Sequence, residues 1–138
     1  YVPQTVAILD DTLKLNITFE SDDDKIDYNK LKQAIKISGL DKFILNNNQS
    51  YEIIIGEKGS KISGGEILRV SLARAIYSNA EILILDEFTS ALDNETEERI
   101  IDSLKNIDKT VIIVSHRRST LKYCDKIFKL TKNQLTTT

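Results

Sequence analysis

Apolar and polar residues alternate with helical spacing in the first half of the chain. Over residues 27–38, Leu31, Ala34 and Ile35 share one face, and Gly39 is placed to stop the helix. The spacing predicts a short second helix over 41–45 and a polar surface loop over 46–50. After Ser63 it predicts a helix over 67–77, with Leu68, Leu72, Ala75 and Ile76 on one face. The acidic run over 20–24 reads as a solvated loop ahead of the first helix.

The second half reads differently. Residues 81–85 and 110–114 are short apolar runs rich in strand formers, and 126–130 is a third. Between the first two lies a predicted helix over 95–105, with Ile100, Ile101 and Leu104 together and Asn94 and Glu97 at capping-box spacing. Apolar strands alternating with amphipathic helices predict an α/β fold, a parallel sheet with helices packed on its faces. Ligands of such sheets gather at the carboxyl ends of strands, so the residues that follow each run matter most.

Composition narrows the picture. A chain of 138 residues is the size of one domain, and 29% charged with 41% hydrophobic residues argues against disorder. The net charge of −2 argues against a general nucleic-acid coat or a polybasic membrane anchor. No aliphatic run is long enough to cross a bilayer. One cysteine, Cys124, excludes an internal disulfide, and one histidine, His116, excludes a His-rich metal site. The sequence holds no methionine, so the chain is expected to be a piece of something longer.

Three sites carry candidate chemistry. Ser63-Gly64-Gly65-Glu66 combines a bare backbone with capping-box spacing, and exposed amides at a helix start attract anions. An ordinary glycine-containing cap is the plain alternative. Asp86-Glu87 ends an apolar strand, where one carboxylate can hold Mg²⁺ and the other can orient or deprotonate a water. Successive strand residues point to opposite sides, so the two are expected to have separate roles. His116 follows the second strand directly. The Arg117-Arg118 pair reads as a solvated loop, and Cys124 as a small buried residue.

In order along the chain, these segments form a specific set. Tyr-Val-Pro-Gln at 1–4, Ser-Gly-Gly-Glu at 63–66, Leu-Ala-Arg-Ala at 72–75, Ile-Leu-Asp-Glu at 84–87, Thr-Ser-Ala-Leu-Asp at 89–93 and Ser-His-Arg at 115–117 resemble the ATP-binding cassette ATPases. Leu15-Asn16-Ile17, Gly56-Glu57-Lys58-Gly59 and His116-Arg117-Arg118-Ser119-Thr120 narrow the resemblance to the exporter type. It implies roles residue by residue. Gln4 matches the Q-loop glutamine, near Mg²⁺ or water. Ser63, Gly64 and Gly65, with Glu66, match the signature that closes over the γ-phosphate of ATP held by a second nucleotide-binding domain. Asp86 matches the Walker B magnesium ligand, Glu87 the catalytic carboxylate, Asp93 the D-loop aspartate and His116 the switch histidine.

Two departures stand out. The signature usually ends in Gln, and here it ends in Glu66, whose charge sits awkwardly near polyphosphate unless it folds back into the capping box. The phosphate loop needs Gly-Lys-Ser/Thr, and none of the five glycines is followed by lysine. The resemblance therefore implies part of a P-loop ATPase core with a helical subdomain: a Q-loop segment over 1–11, the subdomain over 12–79, and the second half of the core over 80–138. Its parent would hydrolyse Mg-ATP between two cassettes and drive a substrate through a transmembrane domain, from the cytoplasmic face of a membrane, a bacterial inner membrane being expected. No nucleic-acid partner is expected. The chain alone is expected to be inactive. The alternatives are a non-transport cassette ATPase of the DNA-repair or chromosome-structuring kind, and a nucleotide-independent regulatory fragment. The resemblance also implies that a strand absent from this chain lies between the 110–114 and 126–130 strands.

Overall fold

The computed structural model describes every residue except 4, 49, 57–61, 90, 132, 133 and 138, and, at 118 and 119, the backbone only. The signature helix, α4 (Gly64–Tyr77), is the longest element of a helical layer with α1 (Leu13–Thr18), α2 (Tyr28–Ser38) and α3 (Asp41–Asn46). The ends of α2 are set by its sequence. Asp27 caps α2 by accepting from the backbone N–H of Asn29 and Lys30, and Gly39 ends it at φ 72°. Leu31, Ala34 and Ile35 are buried as their spacing predicts, and Leu68, Leu72 and Ile76 of α4 are buried against α1 and α2. Val70, Ser71 and Ala73 are buried too, so α4 is surrounded rather than laid on a surface.

Gly39 also joins the layers. Its carbonyl accepts from Arg69 Nη1 of α4 at 2.8 Å and from Arg99 Nη2 at 3.4 Å, and a Cβ placed there would meet that same Arg99 nitrogen at 2.8 Å. Arg99 belongs to α5 (Asn94–Leu104), the helix between the two core strands. One apolar cluster runs from Leu31 and Leu72 through Ile100 and Leu104 to Leu83 and Leu85.

Strands β3 (Ile82–Asp86) and β4 (Thr110–Val114) pair in parallel, with Ile84 opposite Ile112 and Asp86 opposite Val114. Val2 adds a single bridge on the other side of β3, its N–H donating to Ile84 O at 2.8 Å and its carbonyl accepting from Asp86 N at 3.1 Å. The chain's first residues are thus woven into the core sheet. Two-residue strands β1 (Asp11–Thr12) and β2 (Ile54–Ile55) clip the helical layer, and β5 (Phe128–Thr131) pairs antiparallel with β6 (Gln134–Thr137). A one-turn helix, α6 (Arg118–Leu121), follows β4.

The sheet differs from expectation on one face. Leu83 and Leu85 are fully buried, but Ile82, Ile84, Ile112 and Val114, which alternate with the inward residues, stand exposed. Helices cover one side only among the described residues. The far edge of β4 has no strand partner among them either, since β5 turns to β6 rather than to β4.

The helix over 95–105 begins one residue earlier, and its cap is Asp93, whose side chain accepts from Thr96 N. Asn94 is its first residue. Asp and Asn are equally good caps, so the sequence alone put the boundary one position late. Glu97 is not part of a capping box. Cys124 is half-buried rather than buried, and burial pushes its thiol up.

Candidate functional site

The exits of β3 and β4 lie side by side, because parallel pairing sets Asp86 against Val114. Asp86 leaves its strand on the open face. Its Oδ2 accepts from the Tyr1 hydroxyl at 2.8 Å, and this hydrogen bond is the main cause that raises the Tyr1 phenol above its ordinary value. Nothing local to Tyr1 suggests this pairing, which spans 85 positions in sequence.

At Glu87 the backbone turns left-handed, φ 47°, while its N–H still donates to Val114 O at 3.0 Å. A non-glycine residue in this region costs about 1–2 kcal/mol. Such strain concentrates at functional positions. Its effect is to break the strand's alternation and bring the Glu87 carboxylate to His116, with Oε1 2.8 Å from Nε2. Asp86 and Glu87 thus have different partners, Tyr1 and His116, because the turn at Glu87 takes its side chain out of the strand's alternation. The His116 ring is open, with 89% of the side chain exposed, whereas Glu87 is 34% exposed.

The second group of candidates stands at the start of α4. Ser63 caps the helix, and the capping box is complete: Ser63 Oγ accepts from Glu66 N at 3.2 Å, and Glu66 Oε2 accepts from Ser63 N at 2.7 Å. The Ser63 hydroxyl donates to the same Oε2 at 2.9 Å. Glu66 therefore folds back, as its charge requires. Around Gly64 there is open space, so its backbone is uncovered as expected. Gly65 is not uncovered. A Cβ there would lie 3.0 Å from Ala91 O, so glycine serves to admit the turn that leads to Asp93. Asp93 carries a carboxyl held below its usual range, first by the backbone hydrogen bond from Thr96.

Among the described residues, no hydrogen bond or ion pair joins Ser63 or Glu66 to Asp86, Glu87 or His116. The candidates form two separate groups in one chain. Gln4 and the 57–61 segment lie outside the described residues.

Arg74 of the Leu-Ala-Arg-Ala segment has a structural role that its spacing does not announce. It bonds Asn16 through both the backbone carbonyl and Oδ1, reaches Ala7 O at 2.7 Å, and lies over the Phe19 ring. It ties α4 to α1 and to the segment that precedes β1. Arg117 is not a solvated loop residue, because its Nη1 lies 2.6 Å from Oε2 of buried Glu97.

The donor set suits Mg²⁺ in one particular way. Among the described residues no group of three His, Cys, Asp or Glu side chains could enclose a metal. A single aspartate at a strand exit, with a second carboxylate beside it, fits a hydrated Mg²⁺ that takes its other ligands from phosphate and water.

Residues 1–90 match the family profile described as ABC transporter. An ATP-dependent lipid A-core flippase from Syntrophus aciditrophicus is 38% identical over 97% of this chain, which spans 22% of that protein. A β-(1→2)glucan export ATP-binding/permease protein from Bartonella quintana is 45% identical over 77% of the chain, covering 18% of its own length. Among solved structures, a bacterial Atm1-family ABC exporter with ATP bound superposes with a TM-score of 0.83, at 35% identity, over 98% of this chain and 24% of its own. The chain spans less than a quarter of the length of each. With that profile match over more than half its residues, and with a P-loop-type α/β core, the chain belongs to the ABC transporter family.

Proposed function

We propose that the chain is the C-terminal part of an exporter-type nucleotide-binding domain whose complete protein hydrolyses Mg-ATP to move a substrate across a membrane. The observation that carries this is the Glu87–His116 pair beside Asp86 at the exits of two paired parallel strands. In this reading 1–11 is the Q-loop segment, 12–79 the helical subdomain and 80–138 the second half of the core. The described helices include none long and apolar enough to cross a membrane, so the membrane-spanning part belongs to other segments or chains.

The reaction is phosphoryl transfer from ATP to water, which needs positioning and charge neutralisation more than covalent chemistry. Mg²⁺, when bound, neutralises charge on the phosphate oxygens. Asp86 and Gln4 are the residues that would hold it. Glu87 orients the attacking water and accepts its proton. His116 donates from Nε2, holding the Glu87 carboxylate at the phosphate end of the site. Ser63 and Gly64 present an exposed cap for the γ-phosphate of nucleotide bound to a second domain. Two groups that do not touch within one chain are what a site shared head to tail between two domains needs. The protein then sits at the cytoplasmic face of a membrane, joined to a transmembrane domain.

Calorimetry and phosphate release test this. The full-length protein is expected to bind Mg-ATP and turn it over. The 138-residue chain alone is expected to do neither, because it contains no Gly-Lys-Ser/Thr. Micromolar binding with turnover by this chain alone would overturn the assignment of its missing part.

A further inference from the structure

Glu97 is the most buried carboxylate among the described residues, at 1% exposure. Helix α5 does not need it, since Asp93 supplies the cap. Burying a carboxylate is costly, and an apolar residue of similar size would serve the helix at least as well. Its partners lie instead in the stretch after β4. Oε2 accepts from Arg117 Nη1 at 2.6 Å, and Oε1 accepts from the Thr120 hydroxyl.

Those two residues close a loop around His116. The Arg117 N–H donates to Ser115 Oγ at 3.0 Å, and the Ser115 hydroxyl donates to Thr120 Oγ1 at 3.3 Å. Thr120 in turn donates to Glu97. Every proton in this series has a single acceptor, and the series ends on the buried carboxylate. Both neighbours of His116 are thereby fixed, while its own ring is open and meets Glu87. An exposed ring has no packing to hold it, so its position is set through the backbone of 115–117.

We propose that Glu97 is a positioning residue for His116: its carboxylate gathers Arg117 and Thr120 and so sets the imidazole against Glu87. The inference rests on the ATPase reading above. Arg117 Nη1 also lies 3.5 Å from Leu92 O, next to Asp93, so the same clamp joins the turn before α5 to the His116 loop.

The test is steady-state kinetics of the full-length protein carrying Glu97→Gln, with kcat expressed per nucleotide-binding site counted by titration. Gln keeps the shape and can still accept from Thr120, but it loses the charge that holds Arg117. The expected result is a kcat about 10- to 100-fold lower, with KM for Mg-ATP within about 3-fold of wild type. A purely structural role predicts fewer competent sites at unchanged kcat per site, and that result would overturn the inference. Thr120→Val is the second variant if Glu97→Gln does not accumulate. It removes both the donor to Glu97 and the acceptor for Ser115, keeps the shape, and is expected to lower kcat about 3- to 10-fold with KM unchanged. An active wild type whose kcat ignores both substitutions overturns this inference alone. An inactive wild type overturns the ATPase reading and this inference with it.

Discussion

His116 Nε2 lies 2.8 Å from Oε1 of Glu87, and the two residues reach each other from the ends of different strands. The imidazole donates and the carboxylate accepts, so the pair fixes where the carboxylate points. In the full-length protein, Glu87→Gln is expected to abolish turnover while leaving Mg-ATP affinity within about 3-fold, because shape is kept and the base is lost. Rapid-quench hydrolysis alongside equilibrium binding checks this. Near wild-type kcat would mean that another group takes the proton.

The left-handed backbone at Glu87 makes an independent prediction about stability. Glycine normally destabilises relative to alanine by about 0.5–1 kcal/mol through chain entropy. Here alanine must bear the left-handed penalty of about 1–2 kcal/mol, which outweighs the entropy cost of glycine. Glu87→Gly is therefore expected to be more stable than Glu87→Ala by about 0.5–1 kcal/mol. Urea denaturation of the two variants reads the order directly, and the ordinary order would show that φ is not positive.

Glu66 offers a separable test of charge and cap. Glu66→Gln keeps an acceptor for Ser63 N and Oγ and removes the negative charge beside the phosphate position, so ATPase activity is expected to be equal or higher. Glu66→Ala breaks the reciprocal cap and is expected to cost about 1 kcal/mol of stability. A large loss of activity in Glu66→Gln would mean that the acid itself makes a necessary contact.

The cap at Asp93 gives a pH dependence. Its carboxyl is held below the usual range by the hydrogen bond from Thr96 N. A lowered folded value means that its contribution is complete above the unfolded pKa and is lost as pH falls through the folded one. Against Asp93→Asn, which caps without titrating, the wild type's margin in denaturation midpoint is expected to hold above about pH 5 and to shrink as pH falls through and below the ordinary aspartate range of about pH 4. A margin that stays constant over that interval would remove Asp93's charge from the account.

The open face of the sheet predicts self-association. Ile82, Ile84, Ile112 and Val114 form an exposed apolar patch next to a strand edge with no partner among the described residues. The isolated chain is expected to form dimers or larger species by light scattering, and Ile112→Lys to shift it toward monomer. A monomeric wild-type chain would show that this face is covered in solution.

Where structure is local, the sequence showed it. Ser63 and Glu66 are three apart and cap each other, so the cap of α4 was readable from spacing, although the helix begins at Gly64 rather than at 67. The apolar runs that end at Asp86 and Ser115 revealed both core strands. The remainder depends on partners far away in sequence. Tyr1 meets Asp86, Lys14 pairs with Asp23 and Glu52, and Arg117 pairs with Glu97, none at a spacing that a periodic pattern marks. Strands of two residues, such as β1 and β2, are too short to display a period at all. The apolar run of β3 suggested burial on both faces, yet Ile82 and Ile84 are exposed, because composition reports what a surface could pack against rather than what does.

The single oxygen of Gly39 has a mechanical consequence. It takes guanidinium hydrogen bonds from α4 and α5 while closing α2, so three helices share one pivot. Arg69, one of the two donors, also bonds Gly65 O at the head of the signature helix. Any residue larger than glycine at position 39 would have to displace the Arg99 guanidinium from the oxygen at which the three helices meet.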